Sequence, residues 1–244
     1  MEEQESKSWM REAYEATTRT LNSRIKRYKI LIISIGVAVL GSIIWAIVWR
    51  SWSPLLGFVI IIPLCGLFFS SDAMLINKWQ VQILDLWIDD ELDIGLFIDT
   101  ISQVKMFPKD TLQSMLRTLP ERTLADKTPK EVKESVKITL QTINHCQVDR
   151  IVFSTLTFSL VLGLMAFALL NWTWISLIGL PFAFIAFAMG KVFCFIRFQK
   201  WKRNIQRRKP DITCFVEIAD KLDWGTVHKR KQKFLDMLIR QKNA

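Results

Sequence analysis

Residues 151–190 read IVFSTLTFSLVLGLMAFALLNWTWISLIGLPFAFIAFAMG, forty positions without one charge. A bilayer core is crossed by about 20 apolar helical residues, so a run of this length is read as two spans. Toward the N-terminus two further uncharged runs, 30–49 and 51–71, are separated only by Arg50. The fold class that follows is all-α: an integral membrane protein with four transmembrane helices in two hairpins, 30–71 and 151–190. Charge is confined to the segments around them. Residues 1–29 read as a cytoplasmic N-terminal helix, 72–150 as a cytoplasmic helical segment and 191–244 as basic cytoplasmic C-terminal helices.

The chain has 244 residues, a net charge of +10 and a mean hydropathy of +0.21. With the apolar residues gathered into charge-free runs, this composition excludes a soluble enzyme, a secreted disulfide scaffold and a disordered chain. The first apolar run starts only at Ile30. A cleaved signal peptide places a short apolar stretch earlier, so the first span is expected to be retained. Cys65 and Cys194 fall in or at the edge of spans, whereas Cys146 and Cys214 are isolated, and the chain has two His. Neither a disulfide framework nor a zinc site is expected from that set.

Basic residues set the orientation. Seven Lys/Arg lie in 1–29, ten in 72–150 and fifteen in 191–244, while Arg50 alone lies in an outer turn. The cytoplasmic side carries the excess of Lys and Arg, so an inner (plasma) membrane protein with both termini cytoplasmic is expected. The outer turns, Arg50–Ser51–Trp52–Ser53 and Asn171–Trp172–Thr173–Trp174, are short and bordered by Trp49, Trp52, Trp172 and Trp174. Amphipathic rings of this kind settle at headgroup level. A receptor for an external ligand needs an outer domain, and the turns leave no length for one.

The cytoplasmic segments carry helical periodicity. Ile76, Trp79, Ile83 and Trp87 recur at three to four residues, as do Phe97, Ile98, Ile101 and Val104 beyond the acidic break at Asp89–Gly95. Leu112, Met115, Leu116 and Leu119 mark a short helix between Pro108 and Pro120. Thr128–Pro129–Lys130–Glu131 is a helix-start signal, and the helix it opens meets no breaker before Ile151. In the tail, Ile212, Phe215, Val216, Ala219 and Leu222 form one apolar face stopped by Gly225, and Val227, Phe234, Leu235, Leu238 and Ile239 form another.

The halves carry the pattern of a parallel internal repeat. Trp52 and Trp174 are 122 apart, as are Lys78–Trp79 and Lys200–Trp201, and Leu92–Asp93–Ile94–Gly95 matches Leu222–Asp223–Trp224–Gly225 once eight residues near Arg203–Pro210 are inserted. Shared boundary residues at any two hairpins are the alternative reading. The L-D-x-G break resembles that of inner-membrane platform proteins of type II secretion and type IV pilus systems, over 80–104 and 209–227 only. The middle segment is too short for that family's full helical domain, and no membership is inferred.

Within the spans no Asp, Glu, His or Arg appears, which disfavours a proton relay or ion-coupled transporter. Small residues at helical spacing, Ser34, Ala38, Ser42 and Ala46 in the first span and Thr155, Ser159 and Gly163 in the third, are assigned to close helix packing rather than to a pore lining. No catalytic, cofactor or metal residues are identified. The acids at Asp89–Asp93 lack the spacing of a calcium loop, and His145–Cys146 diverge by about 100° on a helix. The cations Lys191, Arg197, Lys200, Lys202, Arg203, Arg207, Arg208 and Lys209 have no acid among them. Of these, Lys200 onward are assigned to anionic lipid headgroups, with nucleic acid not an expected partner.

The functional expectation is a non-enzymatic, homo-oligomeric scaffold subunit that docks cytoplasmic components of a membrane-bound secretion, conjugation or pilus machine. Ile83, Trp87, Phe97 and Ile101 are the expected docking face, with a private helical core as the competing role for the same residues. The rival function is a pore-forming or membrane-perturbing effector gated by its cytoplasmic helices.

Overall fold

The computed structural model describes the backbone of residues 2–49, 55–89, 92–103, 109–117, 119, 128–171, 179–222, 224 and 228–243. Side chains are described within these ranges except at 2–8, 49, 55–60, 62–64, 109, 166, 169–171, 228–230 and 241–243. Both expected outer turns lie outside the described residues apart from the backbone of Asn171, as do Asp90, Glu91, Val104, Pro108, Pro120, Asp223, Gly225 and Val227.

Helices account for the fold: α1 Glu2–Trp49, α2 Leu55–Ile88, α3 Ile94–Ser102, α4 Lys109–Leu116, α5 Lys130–Asn171, α6 Leu180–Arg208, α7 Ile212–Lys221 and α8 His228–Asn243. Among the described residues there is no strand. Among the described residues three helices are long and apolar enough to cross a membrane: Trp9–Val48 in α1, Lys130–Met165 in α5, and α6. The protein therefore has multi-pass membrane character. The side chains of α2 at 55–60 and 62–64 fall outside the described residues.

The expected rod is present. With no Gly or Pro between Lys130 and Ile151, α5 continues without a break from the Thr128–Pro129 start to Asn171. The amides of Val132 and Lys133 both donate to the Pro129 carbonyl, closing its first turn. α1 is likewise one helix across the 29/30 boundary at which charge gives way to apolar residues. The acidic break also holds: α2 stops at Ile88, and the Asp93 carboxylate caps α3 by accepting from the Leu96 amide at 3.0 Å. In the tail α7 ends at Lys221, short of the expected stop at Gly225, because Leu222 is already extended (φ −68°, ψ 143°).

The chain divides into two compact units, each drawn from separate stretches of sequence. Unit 1 comprises 1–22, 74–147 and 197–244, and unit 2 comprises 23–73 and 148–196. Unit 1 has a conventional buried core: the faces Trp79, Ile83 and Trp87 of α2, Val132, Val136, Leu140 and Ile143 of α5, and Phe215, Ile218 and Ala219 of α7 are all turned inward. Trp201 of α6 lies at its aromatic centre, with ring centroids 4.8 Å from Phe198, 5.3 Å from Trp224 and 4.4 Å from Phe234. Offset and edge contacts at such distances add to the area these rings bury.

Unit 2 reverses this distribution. Large apolar side chains along α1 (Ile32, Val37, Ile44, Ile47), α5 (Phe158, Phe167) and α6 (Phe182, Phe184, Ile185) face outward, as expected where hydrocarbon takes the place of water. Its helices meet closely where glycine allows. A Cβ on Gly66 would lie 2.5 Å from the Cβ of Thr155, and one on Gly190 would lie 2.8 Å from that of Phe153. Close backbone approach at small residues is how helices associate in lipid.

Candidate functional site

The four expected docking residues point into unit 1. Ile83, Trp87, Phe97 and Ile101 are 0%, 1%, 0% and 1% exposed, the geometry of the private core that competed with docking for the same positions. Their alternation with exposed acids, such as Asp89 and Asp99, describes the two sides of the same helices.

Several polar groups drawn into that core are paired, while the Trp87 Nε1 is buried without a hydrogen-bond partner. The Trp79 Nε1 donates to Thr17 Oγ1 at 2.9 Å, and Thr17 donates to the Ala13 carbonyl. The Trp201 Nε1 donates to Thr139 Oγ1 at 2.8 Å, and Thr139 donates to the Ser135 carbonyl. Asn144 Nδ2 donates to Gln80 Oε1 at 3.0 Å. Lys133 is buried, with its ammonium donating to the Trp87 carbonyl at 3.0 Å and lying over the Trp87 ring. A cation there meets the negative end of α2. Lys137 pairs with Asp85, and Arg208 pairs with Glu134.

Unit 2 holds an ion pair that the sequence reading missed. Arg24 of α1 grips Asp72 of α2 in a fork, Nε to Oδ1 at 2.8 Å and Nη2 to Oδ2 at 2.7 Å, with side chains 12% and 7% exposed. The Tyr28 hydroxyl donates to Asp72 Oδ2 at 3.3 Å, and Arg27 donates to Ser71 Oγ at 2.6 Å. The available signal was position: Asp72 is the first acid after the uncharged run 51–71, on the helix that folds back beside α1.

The expected packing residues are divided. Ser159 is buried and Thr155 lies against Gly66, while Gly163 is half-buried. In α1, Ala38, Ser42 and Ala46 are half-buried and share one stripe, whereas Ser34 is exposed. Of the expected lipid-binding cations, Lys200, Arg203, Arg207, Arg208 and Lys209 are exposed, and Lys202 is half-buried with its ammonium over the Phe234 ring. Arg208 is shared with Glu134.

Where the basic stretch ends, α6 stops. Lys209 takes the left-handed conformation (φ 47°), Pro210 prevents continuation, and Asp211 caps α7 by accepting from the amides of Thr213 and Cys214. Between this break and α8 lies an open groove of about 430 Å³, floored by Ile205, Ile212, Phe215 and Leu238 and edged by Gln206 and Lys209. Burial pushes the nearby Cys214 thiol up from its ordinary value, and Asp211 adds to the shift. It is thus a poor nucleophile at neutral pH.

Among the described residues no three His, Cys, Asp or Glu side chains gather as a metal site. His145 is exposed and hydrogen-bonded to the Gln141 carbonyl, while its neighbour Cys146 is buried. The arrangement describes a class, a helical multi-pass membrane protein with a separate, tryptophan-cored polar unit. Comparison with protein-family models, curated proteins and solved structures finds no match.

Proposed function

We propose that the chain is a four-span structural subunit of a membrane-bound assembly, with both termini cytoplasmic, built from two copies of one helical plan. What supports the two-copy reading is a repeated hydrogen bond. Thr17–Trp79 and Thr139–Trp201 are each 62 residues apart, and the two pairs are displaced by 122, the interval already present in the sequence. At the same displacement Glu12, Thr20 and Asn22 match Glu134, Thr142 and Asn144, and buried Leu21 and Ile83 match buried Ile143 and Ile205. The ion pair is not duplicated, since Arg24 and Asp72 correspond to Cys146 and Cys194. A two-copy plan makes α2 the counterpart of α6 and therefore a span.

The topology has a direct test. Cysteines introduced at Ser53 and Thr173 should react with a membrane-impermeant maleimide from outside the cell. Because native Cys214 is half-buried with its thiol pushed up by burial, the inner reporter is a cysteine at exposed Arg203, which should label only after permeabilisation. External labelling of the Arg203 position with protection of the other two would reverse the orientation.

The single observation behind the docking role is the contrast between the units. Unit 1 consumes its own apolar faces and leaves a polar surface with a basic end on α6, which suits regulated contact with protein components or anionic headgroups more than catalysis. In mild detergent after crosslinking, the chain should be recovered with cytoplasmic components in fixed ratio. Replacing Arg203 and Arg207 by Glu should lower that recovery about tenfold, the scale of 1.4 kcal/mol, without altering insertion. Ion flux through vesicles containing the pure protein, with no recovered component, would replace this reading by the pore-forming one.

A further inference from the structure

The two halves part company at one place, and the groove lies there. In the first half α2 runs unbroken through Ile83 to Ile88. In the second, the matching helix continues past Ile205 only to Arg208, and the eight extra residues enter before Leu222. Two of the groove's residues, Lys209 and Pro210, come from this departure, and Ile205 and Gln206 close the last turn of helix before it. A non-glycine residue held at positive φ is costly, and it persists only where the surroundings over-determine it. On the two-copy reading, on which this inference rests, the groove is what the second half acquired.

The geometry points to a second copy of this chain as the occupant, with the outer face of α3 seated in its neighbour's groove. That face carries Leu96, 42% exposed, with Asp93 and Asp99 three positions to either side and exposed Asp89 just before the helix. Residues three apart share a helix face, so the surface is one apolar knob among carboxylates. The groove is its complement: a recess of about 430 Å³ over the apolar side chains Ile205, Phe215 and Leu238, edged by the cation of exposed Lys209. Asp211, next to the groove in sequence, is engaged with two amides of its own helix, as Asp93 is with the Leu96 amide, so the facing charges are Lys209 and Asp99. Opposite charge around a small apolar contact steers association and fixes its register.

The test uses the full chain in detergent with its four native cysteines replaced by serine. Thr100→Cys, one exposed turn from an intact Leu96, and Gln206→Cys are made on separate chains, so no bond within one chain is possible. Co-expression followed by mild oxidation should give a disulfide-linked dimer several-fold above that of either variant alone. Lys209→Gly on the Gln206→Cys chain keeps a backbone suited to φ 47° and removes the cation. It should cut the crosslink several-fold with an unchanged melting temperature, and Lys209→Glu combined with Asp99→Lys on the other chain should restore it. Absence of the mixed dimer, or a crosslink indifferent to Lys209, overturns the proposal. It is also overturned if vesicles of phosphatidylcholine and phosphatidylglycerol protect Gln206→Cys from maleimide while raised protein concentration does not, since the groove then takes a lipid. Loss of the dimer with normal topology and component recovery would leave the structural-subunit reading standing.

Discussion

Trp201→Ala should unfold unit 1 while leaving the membrane-spanning helices inserted. The indole is 1% exposed, contacts three aromatic rings and donates to Thr139. Truncating a fully buried Trp costs about 3–5 kcal/mol, through lost transfer energy and the cavity left behind. That is a large part of the stability of a typical domain. Trp201→Phe, which retains a ring but not the Nε1 bond, should cost about 1 kcal/mol from hydrogen bonding, with some added loss of packing. The measurements are thermal unfolding in detergent and the rate of limited proteolysis at sites in unit 1. Trp79→Ala should behave similarly, because its indole is equally buried and bonds to Thr17. Near-native melting of both alanine variants would remove the aromatic core as the basis of the unit, and with it the weight placed on the paired hydrogen bonds.

Asp72→Ala is expected to be the most damaging single change in unit 2. It leaves the Arg24 guanidinium in a site where its Nη1 is already buried without a hydrogen bond. Breaking a buried pair by removing one partner costs about 3–5 kcal/mol, because the remaining charge is uncompensated. The double replacement of Arg24 and Asp72 by Leu and Met should recover most of the loss, since apolar substitution of a whole buried pair is often close to neutral. Detergent-resistant melting of the four members of this cycle measures the coupling directly. A double variant no better than Asp72→Ala would mean that the pair sets the register between α1 and α2 and does more than offset its own desolvation.

The periodicity of α2 and α5 was sufficient to find their inward faces, because a helix with polar residues on one side has one apolar stripe to bury; on α7 it found Phe215 and Ala219 but passed over fully buried Ile218. It did not say what buries them. Trp87 and Phe97 carry the same pattern whether they meet a partner or their own chain, and packing of the three stretches of unit 1 against one another turned them inward. Ile239 shows the converse: read as part of an apolar face, it is 42% exposed.

The candidate site was legible only in outline. The cations of α6 stood out as a run, yet their separate roles depend on neighbours distant in sequence: Glu134 takes Arg208, the Phe234 ring takes Lys202, and the helix break gives Lys209 its place at the groove. Arg24 and Asp72 were individually unremarkable charges bordering apolar runs, 48 residues apart, and only the antiparallel return of α2 made them a pair. By itself the sequence determined the helical class, the apolar runs and the 122-residue interval, since each depends on local composition or on spacing along one chain. The tertiary structure decided which apolar faces are spent in a core, which charges meet, and where a groove opens, because those outcomes depend on which distant segments exclude water from one another.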